Sequence, residues 1–269
     1  MSWDDPYAAA RRAHIDAVRR ALRRHRGDCA ASHLSAAVVR RFATYASPSA
    51  VHLTRPDGSR RTRGRTHVSV ADLAPGDVGL VDDIRVTSPA RTIADCAREL
   101  PFLAGLVTAD SALHCGLAPA ALQQQLDCMS QWPGIRAARL VARWADPRVE
   151  SPLESVIRGR CILLDLPVPE PQVWLIGADG RDYPTDLYWK QHRLIGEADG
   201  KVKYADAEAI WAEKQRRDAL EERHTMIRWT WRQAHAPDDV FRARLLEAFA
   251  RGDRLLQLLG APTPCANEG

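Results

Sequence analysis

The sequence predicts an α+β protein, with a mixed and helical N-terminal and middle part followed by an α/β unit. Three observations carry this. Residues 49–87 read as extended segments, residues 88–145 as successive helices, and residues 149–231 as helix, three strands, helix, strand. The step Asp146-Pro147-Arg148 separates the last unit from what precedes it. The chain then divides into a basic helix (1–28), a mixed strand and helix domain (29–146), an α/β domain (147–235) and a C-terminal helix with a polar tail (236–269). A length of 269 residues with 45% hydrophobic residues supplies two cores and excludes a mostly disordered chain.

Each element has its own signal. Residues 6–26 put Ile15, Val18 and Leu22 on one stripe and arginines over the rest. Residues 30–42 read as a short second helix. The extended region breaks at Asp57-Gly58, Pro75-Gly76 and Asp82-Asp83. Thr87 or Ser88 caps a helix that begins at Pro89, and helical segments follow near 102–114, 119–130 and 134–145. A helix at 151–163 leads into the link Leu166-Pro167-Val168-Pro169-Glu170-Pro171 and the extended piece QVWLIG. Strands follow at 183–189 and 193–199, then a helix at 206–223, a strand at 225–231 and a final helix at 237–259.

Charge is uneven. Residues 1–75 hold 14 arginines against six aspartates, a net +8, whereas the whole chain carries only +4. A basic front fits a polyanion such as DNA, and an arginine surface in water gives the same count. Arg11, Arg12, Arg19, Arg20 and Arg23 lie on the first helix, and Arg60, Arg61 and Arg63 cluster beside the first turn. Only four of the 38 basic residues are lysines, namely Lys190, Lys201, Lys203 and Lys214, all within one short window. Six scattered cysteines form no CxxC pair, which excludes a zinc-ribbon pattern and predicts small buried side chains in a reducing cytoplasm. No apolar run suits a signal peptide or a membrane span, so a cytoplasmic protein with no membrane partner is expected.

The chemistry gathers in the α/β unit. If the strands at 183–189 and 193–199 turn about Gln191 and His192, Asp186 faces Glu197 across the hairpin. A one-residue slip undoes that pairing. With the strand period of two, Glu197, Asp199 and Lys201 point to one side, giving clustered carboxylates and an ammonium. Carboxylate oxygens suit Mg²⁺ or Mn²⁺, which would activate a water against a phosphate, while a lysine neutralises developing charge. Solvated charges on a hairpin rim are the alternative. Glu154 either completes this set as a third acid or caps its own helix in Ser151-Pro152-Leu153-Glu154. Lys214 reads as a surface residue paired with Asp218, as Glu213 is with Arg217.

The segments SPLES (151–155), TDLYW (185–189), RLIGEADGKVKY (193–204), EKQRRDAL (213–220) and MIRWTW (226–231) together resemble actinobacterial AbiEi-like antitoxin-domain proteins. Their C-terminal part is similar to the very-short-patch-repair branch of the PD-(D/E)XK, restriction-endonuclease-like fold. Weaker similarity lies in ASHLSAAVV (31–39), VHLTRP (51–56) and VTSPARTIADCAREL (86–100). The resemblance implies that Glu154 is the helix acid, Asp186 the central strand acid and Glu197 the acid of the next strand. Two departures stand out. The position two after the second acid, a lysine in the family signature, is Asp199, so Lys201 or Lys214 would have to serve. Relatives of the antitoxin type begin with a winged helix-turn-helix, whereas this chain opens on one arginine-rich helix. Two functions are therefore expected: a Mg²⁺- or Mn²⁺-dependent DNA endonuclease, or a non-catalytic antitoxin or regulator with DNA and a cognate toxin as partners.

Overall fold

The computed structural model describes residues 8–25, 27–199 and 207–260. They form two compact units, Met1–Pro147 and Arg148–Gly269.

The first unit opens with α1 (Ala8–Arg24), whose Val18 and Ala21 are buried while Arg12, Arg19, Arg20 and Arg23 stay exposed. This helix packs into the core of its unit rather than forming a segment of its own. The helix expected over 30–42 is interrupted. Residues Ala30–Ala31 form a short strand, β1, that bridges two others, and α2 (His33–Val39) starts only after Ser32. Then follow β2 (Val51–Arg55), β3 (Arg61–Arg63), β4 (Thr66–Val70), β5 (Val78–Val81) and β6 (Ile84–Thr87). They make one mixed sheet in the order β3-β4-β2-β1-β6-β5. β2 runs parallel to β4 and β1 parallel to β6, and the other neighbours are antiparallel. The β5–β6 hairpin closes on Asp82 and Asp83, both at positive φ (48° and 61°), which is what a two-residue type I′ turn requires.

Apolar residues of α1 and α2 close over Leu53, Val68 and Val86 of this sheet. The helices α3 (Pro89–Glu99), α4 (Phe102–His114), α5 (Pro119–Cys128) and α6 (Ile135–Trp144) bury a second cluster around Ile93, Leu126, Met129 and Val141. Ser88 caps α3 by accepting the Arg91 backbone N–H, at 3.3 Å. Of the cysteines, Cys29, Cys96 and Cys161 are buried as expected, but Cys115 and Cys128 are exposed. They end helices on the solvent side, where a thiol needs no core.

Burial of His52 in this unit has a pH consequence. Burial, reinforced by the charges of His33, His67 and His14, lowers its pKa to about 4, against 6.5 for a free imidazole. The unfolded chain then binds more protons than the folded one between pH 6.5 and about 4, so stability falls as pH drops through that window. Glu99, held at about 2 by its hydrogen bond from His33, acts only below the usual carboxylate range. The urea midpoint of unit 1 is expected to be lower at pH 5 than at pH 7, with His52 titrating near 4 by NMR. A His52 signal titrating at 6.5 contradicts the burial.

The second unit begins with α7 (Pro152–Leu163), capped by Ser151, whose hydroxyl accepts the Glu154 N–H at 3.2 Å. β7 (Glu170–Ile176), β8 (Asp182–Trp189) and β9 (Leu194–Ala198) form an antiparallel meander. A turn of 3-10 helix over Lys190–His192 joins the last two strands. Next come α8 (Ala207–Glu221), β10 (Thr225–Trp229), the single turn α9 (Trp231–Ala234) and α10 (Asp238–Leu258). β10 lies parallel to β9, giving the sheet order β10-β9-β8-β7.

Thr230, expected inside the last strand, instead caps α9 in a reciprocal capping box with Gln233. α10 belongs to the core of this unit. Phe241 stacks on Trp229 at 4.7 Å between ring centroids, and Phe249 stacks on His192 at 3.9 Å. The helix comes so close to the Lys190–His192 turn that a Cβ on Gly252 would fall onto the His192 carbonyl oxygen. Gly252→Ala is therefore expected to cost about 2–3 kcal/mol, as overpacking against backbone does. An unchanged urea midpoint would contradict that docking.

Candidate functional site

The β8–β9 register is the one predicted, with Leu187 opposite Gly196, Tyr188 opposite Ile195 and Trp189 opposite Leu194. Continued by one residue, it sets Asp186 across from Glu197. On the other side of β9, Ile195 pairs with Met226 and Glu197 with Arg228. Two alternate rungs of the sheet, on one face, thus look toward α8. The apolar rung, Tyr188–Ile195–Met226, packs against Leu220 of that helix. The next rung on the same face is Asp186–Glu197–Arg228, since side chains alternate. Arg216, one helical turn before Leu220, arrives over it.

The hydrogen bonds follow from this placement. Arg216 Nη1 donates to Glu197 Oε1 at 2.8 Å, and Arg228 Nε donates to Glu197 Oε2 at 3.2 Å. Arg216 also holds the Pro184 carbonyl at 2.8 Å. Glu213 lies 3.3 Å from Arg216 and 3.5 Å from Arg228, so it joins the network from α8. The pairs expected along that helix, Glu213 with Arg217 and Lys214 with Asp218, do not form. Glu213 is drawn to the two site arginines, Arg217 pairs with Glu221 at 2.7 Å, and the Lys214 ammonium sits 5.5 Å from the Trp211 ring centroid.

Asp186 accepts the Ala198 N–H at 2.8 Å. Burial raises its pKa, the Ala198 bond offsets part of that rise, and the Glu197 charge adds to it. Glu154 is 3% exposed, which confines its carboxylate to partners inside the fold. It accepts the Glu150 N–H and Gln172 Nε2, both at 3.2 Å. Burial raises its pKa too, and the Asp186 charge contributes in the same direction. Ser151 alone caps the helix; the reciprocal bond expected from Glu154 goes to Glu150, one residue before the cap, so Glu154 is a member of the acidic neighbourhood and not half of a capping box. For Arg216, burial disfavours the charged form, but the Glu197 hydrogen bond and the charges of Glu197 and Glu213 outweigh it and raise the pKa.

The resemblance noted in the sequence raises the question of whether these acids suit a divalent cation. Both Glu197 oxygens are taken by guanidinium groups and one Asp186 oxygen by a backbone N–H. Asp199 lies past the end of β9, exposed, its own N–H donated to the Trp229 carbonyl at 2.9 Å. Among the described residues, no group of three or more His, Cys, Asp or Glu side chains is arranged to hold a metal ion. These donors do not fit a resident Mg²⁺ or Mn²⁺. Lys201, the residue expected to neutralise charge, lies outside the described residues, as does Lys203.

Sequence reasoning missed Arg216 and Arg228. The signals were present: Arg228 stands two residues after Met226 on one strand, and Arg216 stands four before Leu220 on one helix. The basic residues singled out in the N-terminal part all fall in the first unit. Arg60, Arg61 and Arg63 are exposed on and beside β3, at one edge of the six-stranded sheet, and Arg11 is half-buried.

Over 147 residues, 54% of the chain, the protein is 31% identical to the uncharacterized proteins MT2308 and Rv2248 from two strains of Mycobacterium tuberculosis. The chain spans about half the length of these curated relatives, 52%. No family model matches the chain, and no solved structure matches it with significance.

Proposed function

We propose that this protein is a DNA-binding protein of the antitoxin or regulator class, acting in the cytoplasm. In this reading its C-terminal unit serves as a scaffold without a resident metal. The observation that carries the proposal is the state of Glu197. Its carboxylate is neutralised by Arg216 and Arg228 at 2.8 and 3.2 Å, and Asp199 stands where the family signature has lysine. Each Glu197 oxygen already accepts a charge-assisted bond from a guanidinium, so its negative charge is met by two fixed cations that a metal ion would have to displace or repel. The order helix, three-stranded meander, helix, parallel fourth strand supports the PD-(D/E)XK resemblance as the origin of the scaffold. DNA would be held through the exposed arginines of the first unit, giving affinity with little base choice. A toxin of the same system is the protein partner this class implies.

A second reading is a metal-dependent DNA endonuclease. It is favoured by the raised pKa values of Asp186 and Glu154, because a cation would relieve the burial and mutual repulsion of these acids. One experiment separates the two. Supercoiled plasmid and single-stranded DNA are incubated with the protein and Mg²⁺, Mn²⁺ or EDTA, beside Asp186→Ala and Glu197→Ala. The proposal expects intact DNA in every lane and a DNA complex that persists in EDTA. With four to six phosphates contacted, the binding constant should fall by roughly four to five decades per decade of salt. Metal-dependent cleavage lost in both variants would establish the endonuclease instead.

A further inference from the structure

The first unit contains a cleft of about 650 Å³ that has no part in the acidic rung. It is enclosed by the start of α2, Thr54 of β2, the segment after β4, the end of α3 and the loop before α6. Its inner wall is polar and hydrogen-bonded. His33, buried at 5% exposure, has a backbone φ of +50°, strained for a residue with a Cβ. Its Nδ1 lies 2.9 Å from Ser32 Oγ, itself the acceptor of a 2.8 Å bond from Thr54, and its Nε2 lies 3.3 Å from Glu99 Oε2. Arg98, with its side chain 7% exposed, donates to the Pro133 carbonyl at 2.6 Å and to Asp95 at 3.1 Å. Its Nε is buried with no hydrogen-bond partner among the described residues. Beside it is the Trp132 ring, with the Arg98 and Arg91 guanidiniums 5.0 and 4.7 Å from its centroid. Gly134 permits the approach of this loop to α3, because a Cβ there would fall onto the Arg98 carbonyl oxygen.

The chemistry changes from the inner wall to the outer. The inner end is lined by the Trp132 ring, the Arg98 side chain and the Glu99 carboxylate, which suits a flat group with both donor and acceptor edges and no net charge. The outer end carries Arg60, exposed, and Arg61 and Arg63 continue from it along the edge strand β3. That end suits phosphate. We propose that the cleft binds a nucleoside phosphate, with its base against Trp132 and its phosphate on Arg60. The source is a free mononucleotide or an unpaired residue of a nucleic-acid strand whose backbone follows β3. A base removed from its stack is read in this way, by aromatic contact and edge hydrogen bonds in a snug pocket. The binding goes beyond the backbone contact proposed above. It predicts a preference for unpaired bases that phosphate contacts alone do not give.

The test is fluorescence anisotropy of a labelled 15-nucleotide single strand and of the same sequence as a duplex, in EDTA, with unlabelled mononucleotides as competitors. The single strand is expected to bind at least fivefold more tightly. Arg60→Ala, a surface change, should weaken it three- to tenfold. Trp132→Leu should abolish the preference, and Trp132→Phe should restore most of it. Saturable competition by a mononucleotide identifies a free nucleotide as an occupant, and no competition identifies the strand. If single strand and duplex bind alike, mononucleotides do not compete and Arg60→Ala is silent, the cleft inference fails while duplex binding stands. Should Trp132→Leu not fold, Arg60→Ala and the competition decide alone. Absence of all duplex binding would instead overturn the function proposed above, whatever the cleft does.

Discussion

Glu197→Ala is expected to lower the stability of the second unit by about 2–3 kcal/mol. The side chain is 12% exposed, and its removal leaves the Arg216 and Arg228 guanidiniums facing one another over Asp186 with only Glu213 to share. Breaking a buried pair by deleting one partner costs about 3–5 kcal/mol. The lower figure reflects Arg228, which is 47% exposed and regains water. Glu197→Gln keeps an acceptor and should cost about 1 kcal/mol. Asp199→Ala, beyond the strand and outside the network, should stay within about 0.5 kcal/mol. The sign discriminates. Were Glu197 an open metal ligand strained by Asp186, deleting it in EDTA would relieve like-charge repulsion and raise the urea midpoint.

Arg91→Ala is expected to be more damaging still, at about 3–5 kcal/mol in the first unit. Arg91 is 2% exposed and donates to Asp95 Oδ2, Asp77 Oδ2 and the Asp72 carbonyl, each at 2.9 Å, while lying over Trp132. Asp95, at 1% exposure, would be left with Arg98 alone. Two buried carboxylates that each lose a cation and a side-chain-sized void add in the same direction. Arg91→Lys keeps one charge but cannot span three acceptors, and should recover less than half of the loss. Chemical denaturation followed by near-ultraviolet circular dichroism measures both. A midpoint within 0.5 kcal/mol of the parent would show that the network is not what holds α3 to the segment before β5.

Much of this was legible in the sequence. The strand pair at 183–199 and its register could be read from alternation and turn length. Asp82-Asp83 announced its turn, and Ser88 and Ser151 announced their helices. The acids Asp186, Glu197 and Glu154 were found as one neighbourhood. What escaped was the partner of each. A sequence gives Arg91 and Asp95 as an i,i+4 pair of the kind that usually lies in water. Only the packing of α3 against the turns before β5 and the Trp132 loop makes it a buried network. Arg216 and Arg228 went unremarked because the sheet order that puts β10 beside β9 is a long-range fact. The lysine cluster was read as serving the acids, whereas among the described residues it is arginines that engage Glu197; Lys201 and Lys203 lie outside those residues. His33 and Trp132, 99 positions apart, carried no local signal at all.

The measurement closest to the central claim is a titration of Mn²⁺ into the purified protein, read as thermal stability and as binding of labelled DNA in the same buffer. If Glu197 is a salt-bridged strut and not a ligand, the melting temperature and the DNA affinity should match those in EDTA, and the DNA should remain intact. A Mn²⁺-dependent rise of several degrees that disappears in Asp186→Ala, together with cleavage of the DNA, would contradict the account.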